Sequence, residues 1–338
     1  MVSFRRRLVF KAPLRAVLEE EAIPDLGSGD VLIETIVTLV STGTEMTAYT
    51  GDFPAKSSWA EYVKYPLPPG YSNVGRVLAV GEKVSSVSAG EIVFSWSGHC
   101  SHEVLGSDHV YRVPEGLDPS EAVFGTLGQI ALNGVRLSEV SVGESVVVIG
   151  VGPLGQLALQ LCRLSGAYPV IAMDLSPQRL KMAERHGADR VVNVQEEDPR
   201  DAVRQETRGR MADVVFEVTG NQKVIPWALR LLKERGRLLL LGSPRGPVEV
   251  DFHDEVHRLG LRIIGAHNSI RTPVETPFNQ WTLARDLELF YDFLGSGRMS
   301  VRDMVTHRYP WRSAPKAYEM LLKERGKSMG VIFDWTIE

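Results

Sequence analysis

The sequence predicts an α/β protein in two parts: a doubly wound parallel sheet preceded by a β-rich domain. Three observations carry this. From Glu144 onward short apolar strands alternate with helical runs, the pattern of βαβ units whose strands are buried on both faces. Before Glu144, β-branched runs are separated by glycine and proline. The last strand, 330–335, needs a sheet to join, and the N-terminal domain is the expected host. A length of 338 residues allows roughly two domains of 100–200 residues each.

In the first part, strands are expected at 31–40, 74–80, 91–94 and 109–113. In the second, strands at 145–149, 169–173, 190–194, 214–218, 237–241 and 262–265 alternate with helices near 154–165, 177–186, 199–206, 222–235 and 252–259. Six strands with five connections match two mononucleotide-binding halves. A helix near 279–295, a strand at 304–309, a helix at 313–323 and the final strand follow. The domains expected are therefore 1–130, 131–268, and a return, 269–338, that completes the first.

Composition excludes several classes. With 42 acidic and 38 basic side chains the formal charge is −4, which excludes a nucleic-acid binder driven by a basic tail. Cys100 and Cys162 cannot build a disulfide framework or a four-cysteine zinc knot. No apolar run is long enough for a membrane span, and the basic N-terminus has only Leu8 to Phe10 before Lys11, too little for a signal peptide. A reducing, cytoplasmic setting is the expectation.

One motif has a mechanism. After the strand ending at Ile149 comes Gly150-Val-Gly-Pro-Leu-Gly155, and then an amphipathic run from Gln156. With a strand before and a helix after, Gly150 can make the tight turn, Gly152 can admit a diphosphate, and Gly155 can let helix and strand pack closely. Pro153 and Leu154 open the helix, whose N-terminus offers free N–H groups and a positive dipole end to phosphate. Asp174 ends the next strand about 20 residues on, where a carboxylate reaches ribose hydroxyls and repels a 2′-phosphate. NAD is thus expected, with NADP the alternative because Arg179 could accept that phosphate.

These residues, with Pro69-Gly-Tyr-Ser-Asn-Val-Gly-Arg-Val77, Ser141-Val-Gly-Glu-Ser-Val-Val-Val-Ile149, Arg185-His-Gly-Ala-Asp189, Asp213-Val-Val-Phe-Glu-Val-Thr-Gly220 and Gly236-Arg-Leu-Leu-Leu-Leu-Gly242, resemble the medium-chain dehydrogenase/reductase superfamily over nearly the whole chain. The resemblance implies a GroES-like β-rich domain, a Rossmann domain and a C-terminal return. Within the superfamily, Ser41-Thr-Gly-Thr-Glu45 and Pro69-Gly-Tyr-Ser-Asn-Val-Gly75 are similar to the branch named for bacteriochlorophyllide hydroxyethyl dehydrogenase, a likeness that shows no tetrapyrrole substrate.

Zinc members of the superfamily hold a catalytic metal on cysteine, histidine and a further cysteine or aspartate. Here Thr42-Gly-Thr-Glu45 stands for Cys-Gly-x-Asp, Gly70-Tyr-Ser72 for Gly-His-Glu, and Gly125 and Thr126 lie near the third ligand. Hydroxyls and glycine cannot replace thiolate and imidazole, so no catalytic zinc is expected. The structural zinc lobe is absent too, since Cys100 alone lies between 95 and 113.

Three other patterns carry no chemistry on this reading. In His99-Cys-Ser-His102-Glu103, an extended strand lets Cys100 and His102 share a face but leaves His99 on the other. His253 and His257 lie four apart but lack the zincin glutamate, and fit a solvated helix face. No serine sits in a G-x-S-x-G elbow, which leaves acyl transfer unsupported.

Without a metal, catalysis reduces to a hydrogen-bond donor for the developing alkoxide or enolate. Tyr71, standing where relatives place the ligand histidine, is the first candidate, or else a ring packed beside Pro69 and Gly70. Thr44 matches the hydroxyl that relays protons in zinc relatives. Glu45 matches the carboxylate that orients the ligand histidine there; here it either orients Tyr71 or faces solvent. His267 follows Gly265 at the end of the sixth strand and is either structural or catalytic. Thr219 and Gly242 close the fourth and fifth strands and are expected to line the nicotinamide ribose. Lys327 lies where relatives sometimes place a phosphate contact. The expected function is a metal-free NAD(P)-dependent oxidoreductase acting on a secondary alcohol or ketone of a medium-sized organic molecule. The rivals are a quinone or enone reductase and a nucleotide-binding redox sensor without turnover. Aromatic residues of the loops 47–59 and 271–281 are candidate substrate walls, and a homodimer or homotetramer is implied by the resemblance.

Overall fold

The computed structural model describes residues 3–269, 272 and 274–337. They form two compact units. One holds the described residues up to Thr126, with Tyr291–Gly295 and those from Val301 on; the other holds Leu127–Phe290 and Ser296–Ser300. The expected boundaries at 130/131 and 268/269 compare with unit edges at 126/127 and 290/291.

The first unit is built on seven strands: β3 (Asp30–Leu39), β4 (Asn73–Val80), β5 (Ile92–Ser95), β6 (His102–Gly106), β7 (Val110–Arg112), β14 (Val305–Pro310) and β15 (Gly330–Asp334). They order as β14-β15-β3-β4-β5-β7, with β6 also paired to β3. β15 joins this sheet between β14 and β3, antiparallel to β3 with Phe333 opposite Thr38, so the expected host is the real one. A separate hairpin, β1 (Phe4–Ala12) and β2 (Arg15–Ala22), has no counterpart in the expected strands. Its register sets Arg5, Arg6 and Arg7 opposite Glu21, Glu20 and Glu19, so the two charge runs neutralise each other across the ladder. Helices α1 (Thr44–Thr50) and α10 (Ala314–Glu324) pack here around Phe10, Tyr49, Tyr318 and Phe333.

The second unit is the doubly wound sheet. Its strands are β8 (Val146–Ile149), β9 (Val170–Asp174), β10 (Arg190–Asn193), β11 (Ala212–Glu217), β12 (Leu232–Leu240) and β13 (Arg262–Gly265), all parallel, in the order β10-β9-β8-β11-β12-β13. Order reverses at β8, which places the switch point beside the glycine turn. Val146, Val147 and Val148 are fully buried, as central parallel strands require. Helix α5 (Pro153–Leu164) lays Leu157, Ala158, Leu161 and Cys162 into the core.

Three helices differ from expectation. The helix expected at 222–235 becomes a short turn and α8 (Ile225–Leu229). Leu232 is drawn into pairing with Ala212, and Arg235 at φ +61° cannot continue a helix. The segment expected as an α-helix at 252–259 winds more loosely, with i→i+5 bonding over Phe252–His257. The helix expected from 279 starts only at Leu283, because Thr276 and Asn279 close a turn on each other first. Among the described residues no helix is long and apolar enough to cross a membrane.

Asp213 ties the start of β11 to that of β8. Its carboxylate accepts the Ser145 N–H at 2.9 Å and the Ser145 hydroxyl at 2.7 Å, and pairs with Lys233. Burial is the largest single influence and pushes its pKa up, but Lys233 and the Ser145 donors together outweigh it, so the carboxyl titrates below its ordinary value. Such a group contributes stability above its unfolded pKa and loses it as pH falls through the lower, folded one. Asp213→Asn is expected to lower the thermal midpoint at pH 7, equivalent to about 1–2 kcal/mol. The gap to wild type should narrow from pH 5 to pH 3. A pH-independent gap would show that the carboxylate charge contributes nothing.

Candidate functional site

In the second unit the glycine turn has the geometry its spacing predicts. Gly150 has φ +88°, and a Cβ there would meet Thr219 Cγ2 at 2.7 Å. A Cβ on Gly155 would overlap the Gly150 carbonyl, so neither position admits a side chain. Gly152 is different. It is extended, precedes Pro153 at the first turn of α5, and the nearest atom to an added Cβ would be Arg179 Nη1 at 3.6 Å. No side chain caps α5, so its first N–H groups stay free for an anion.

Asp174, at the end of β9, is already engaged. Its Oδ2 accepts the Val151 N–H at 2.9 Å, and its Oδ1 accepts those of Leu175 and Ser176 at 2.8 and 2.9 Å. The carboxylate therefore ties the glycine turn to β9 and keeps a lone pair on Oδ2 for a ribose hydroxyl. Arg179 Nη1 lies 4.0 Å from Oδ2. Burial pushes the Arg179 pKa down, and Asp174 opposes it. Gln156, which the motif did not single out, is fully buried; its amide donates to the carbonyls of Val151 at 3.0 Å and Arg179 at 2.9 Å. Glu217 is the second residue missed. At the end of β11, one carboxylate oxygen accepts both the Thr219 N–H, at 2.7 Å, and its hydroxyl, while the Glu217 carbonyl accepts the N–H of Gly242 at 2.8 Å. Burial is the main influence on Glu217 and pushes its pKa up against the Thr219 and Gly220 donors. Thr219 and Gly242 are thus locked together, and a Cβ on Gly242 would strike Gly220 N at 2.5 Å. Together the cradle of bare glycine backbone, the uncapped helix and the acceptor at Asp174 fit a dinucleotide.

His267 is exposed and bonds Ser269 Oγ at 2.7 Å. Lys327, in the first unit, is exposed and lies 3.3 Å from Glu324. Of the loop 271–281, Arg271 and Pro273 lie outside the described residues; Phe278 is fully exposed, and Trp281 sits under Arg136 and Arg285.

The first unit gathers hydroxyls around Tyr71. The phenol bonds Ser41 Oγ and donates to Thr44 Oγ1 at 3.2 Å. The Tyr71 carbonyl accepts from Thr126 Oγ1 at 2.7 Å, and Thr126 in turn accepts from Ser72 at 2.7 Å. Burial pushes the Tyr71 phenol up to about 12; the Ser41 and Thr44 hydrogen bonds oppose this, and the Glu45 charge adds to it.

Glu45 does not face solvent; it is 2% exposed, on the buried face of α1. It reaches Tyr71 only through Ser41, whose N–H it accepts at 2.7 Å on Oε1. Its Oε2 accepts the Tyr318 hydroxyl and meets His99 Nε2 at 3.0 Å. Burial first, and then Glu45, push the Tyr318 phenol well above its ordinary range, so Tyr318 keeps the hydrogen it donates to Glu45. His99, set aside by strand spacing, is therefore part of this cluster. Cys100 turns to Glu103 at 3.5 Å, while His102 bonds Ser101 at 3.1 Å. His253 and His257 are exposed, and His253 bonds Asp254.

This donor set does not suit zinc. Thr126 is spent on the Tyr71 carbonyl, Glu45 is tied to Ser41, Tyr318 and His99, and binding through Tyr71 would require deprotonating a phenol that burial and Glu45 hold protonated. Among the described residues no group of three or more His, Cys, Asp or Glu could hold a metal ion.

Residues 27–149 match the family model for the alcohol dehydrogenase GroES-like domain, and residues 153–277 that for zinc-binding dehydrogenases. The chain is 30% identical to L-threonine 3-dehydrogenase of Bacillus subtilis, over 90% of this chain and 92% of the relative. It is 29% identical to the Pyrococcus abyssi enzyme of the same name, over 94% of each. Among solved structures it superposes on a zinc-binding dehydrogenase of Sinorhizobium meliloti bound to NADP (TM-score 0.83, 20% identity, 98% of this chain and 100% of that one). It also matches an alcohol dehydrogenase of a Thermus species (TM-score 0.80, 22% identity, 97% and 99%). With the parallel sheet, the glycine turn and the β-rich first unit in place, the chain belongs to the medium-chain dehydrogenase/reductase superfamily and is an NAD(P)-dependent enzyme of that kind.

Proposed function

We propose that this enzyme reduces a ketone, or oxidises the matching secondary alcohol, of a medium-sized organic substrate without a catalytic metal, and that Tyr71 is its hydrogen-bond donor. The observation that carries this is the Tyr71 phenol held between Ser41 and Thr44, at the position where the sequence resemblance implies an imidazole in zinc members. The relatives named L-threonine 3-dehydrogenase act on a secondary alcohol, which supports the reaction class. The bound nicotinamide would supply or accept the hydride.

The residues of the chain handle position and proton. Gly150, Gly152, Pro153, Leu154 and Gly155 would receive the diphosphate, and Asp174 the adenosine ribose, which favours NAD; Arg179 keeps NADP as the alternative. With its pKa at about 12, Tyr71 keeps its proton across working pH. An alkoxide is roughly as basic as hydroxide, whose conjugate acid in bulk water titrates near 15.7, so it can take that proton. A phenol of this kind is a donor, better matched to reduction than to accepting a proton from an alcohol. Ser41 donates to the phenol oxygen as Tyr71 gives up its hydrogen, and half-buried Thr44 is the nearest route to solvent. The same donor would serve an enone or quinone, where conjugation already spreads the charge, so that reading stands second.

The purified chain is expected to bind NADH, to oxidise it with members of a ketone panel, and to carry well under one zinc per chain by elemental analysis, with activity unmoved by EDTA. Turnover with quinones alone would favour the second reading. Binding without turnover on either panel would favour a sensor. Stoichiometric zinc whose removal abolishes activity would overturn the metal-free reading.

A further inference from the structure

We propose that His99 is a positioning residue for Tyr71, holding it from two sides, with its ring hydrogen fixed on Nε2. The proposal rests on the reading of Tyr71 as donor. Its geometry stands independently.

The ring is fully enclosed, edge-on to Phe333 with centroids 4.8 Å apart. Its Nδ1 lies 2.7 Å from Thr38 Oγ1, which also accepts the indole N–H of Trp335 at 3.0 Å. An indole nitrogen can only donate, so Trp335 occupies one acceptor site on Thr38. A second acceptor site remains on Thr38, so the choice falls to Glu45 Oε2, a carboxylate oxygen that can only accept, and Nδ1 then accepts the Thr38 hydrogen. That leaves the ring hydrogen on Nε2, donated to Glu45 Oε2 at 3.0 Å. Were the hydrogen on Nδ1 instead, the Thr38 hydroxyl would lose its acceptor, and a lone pair would face the carboxylate across 3.0 Å.

From Glu45 the chain of contacts reaches Tyr71. Oε1 accepts the Ser41 N–H at 2.7 Å, and the Ser41 hydroxyl bonds the phenol. The second side is backbone. The His99 N–H donates to the Pro69 carbonyl at 3.1 Å, two residues before Tyr71. Gly70, at φ +96°, lies so close that a Cβ on it would meet the imidazole at 2.9 Å. One residue therefore sets both the main chain that carries Tyr71 and, through Glu45 and Ser41, the direction of its hydroxyl.

The test compares His99→Gln, whose amide can reach Glu45 as Nε2 does, with His99→Asn, which reaches Thr38 only. With NADH as donor and 9,10-phenanthrenequinone as probe acceptor, the Gln variant is expected to keep kcat within about threefold. The Asn variant should lose roughly tenfold or more at unchanged NADH affinity, the scale of losing a group that orients a reacting one. Two readouts need no turnover. Nitrogen-15 spectra should place the wild-type His99 hydrogen on Nε2, and the [13Cζ]tyrosine line of Tyr71, assigned with Tyr71→Phe, should move in the Asn variant and stay in the Gln variant. Equal kcat and unmoved Tyr71 lines in both variants, or a ring hydrogen on Nδ1, would overturn the proposal. A Tyr71→Phe enzyme as active as wild type would instead sink the reading of Tyr71, and the spectra would still decide the role of His99.

Discussion

Replacing Gly155 with alanine is expected to abolish dinucleotide binding. The new methyl would lie within van der Waals overlap of the Gly150 carbonyl, which is main chain and cannot rotate away. Either α5 must move off β8 or the turn must open, and both destroy the row of N–H groups proposed to receive the diphosphate. NADH affinity, followed by fluorescence titration, should fall by more than about 100-fold, equivalent to roughly 2.8 kcal/mol, and the thermal midpoint should fall with it. Gly152→Ala separates the two effects. Its added methyl would find Arg179 Nη1 at an ordinary 3.6 Å, so the fold should hold while the methyl takes the space meant for phosphate. A midpoint within about 2 °C of wild type and an affinity loss of roughly tenfold or more are expected, since displacing a close backbone contact costs at least about 1.4 kcal/mol. Wild-type affinity in Gly152→Ala would remove this turn as the diphosphate site.

Tyr71→Phe should cost turnover rather than binding. Removing a positioned acid typically lowers rate by roughly 10²–10⁴-fold, and NADH affinity should be unchanged because the ring stays and only its hydroxyl goes. The pH profile adds a second constraint. Because burial pushes the phenol to about 12, wild-type ketone reduction should show no falling limb from Tyr71 below about pH 11. A limb near pH 10 that disappears in Tyr71→Phe would mean that its surroundings leave the phenol near its ordinary value. Retention of more than half the wild-type kcat would show that another group delivers the proton.

The parts of this fold that were legible in the sequence are those where local pattern and burial agree. Val146-Val-Val-Ile149 reads as a central parallel strand because both its faces are covered, and the glycine turn reads correctly because its demands are local and backbone-based. The N-terminal hairpin was not legible. Arg5-Arg-Arg7 and Glu19-Glu-Glu21 look like solvated charge runs until the register sets them against each other. The helix expected through 235 failed because pairing of Leu232 with Ala212 outweighed local helical preference. His99 shows the limit most plainly. Strand periodicity tells which neighbours along the chain share a face, but its partner Glu45 lies 54 residues away, brought to it by the sheet and α1. The same holds for Glu217, whose apolar surroundings make it look like a strand residue although its carboxylate clamps the next turn.

The place of β15 bears on the order in which the protein can be made. This strand, which follows every other strand of both sheets along the chain, lies between β14 and β3 and so bridges two strands that are far apart in sequence. On a ribosome the doubly wound unit, nearly continuous in sequence, has all six of its strands once β13 has emerged. The unit bearing Tyr71 must wait, with the inner edge of β3 open, until β15 has emerged as well. Tyr318 and Trp335, which anchor Glu45 and Thr38, arrive on that same late stretch. The hydroxyl cluster thus takes shape after the doubly wound sheet, and a chain cut before Tyr318 would keep that sheet while lacking the setting of Tyr71.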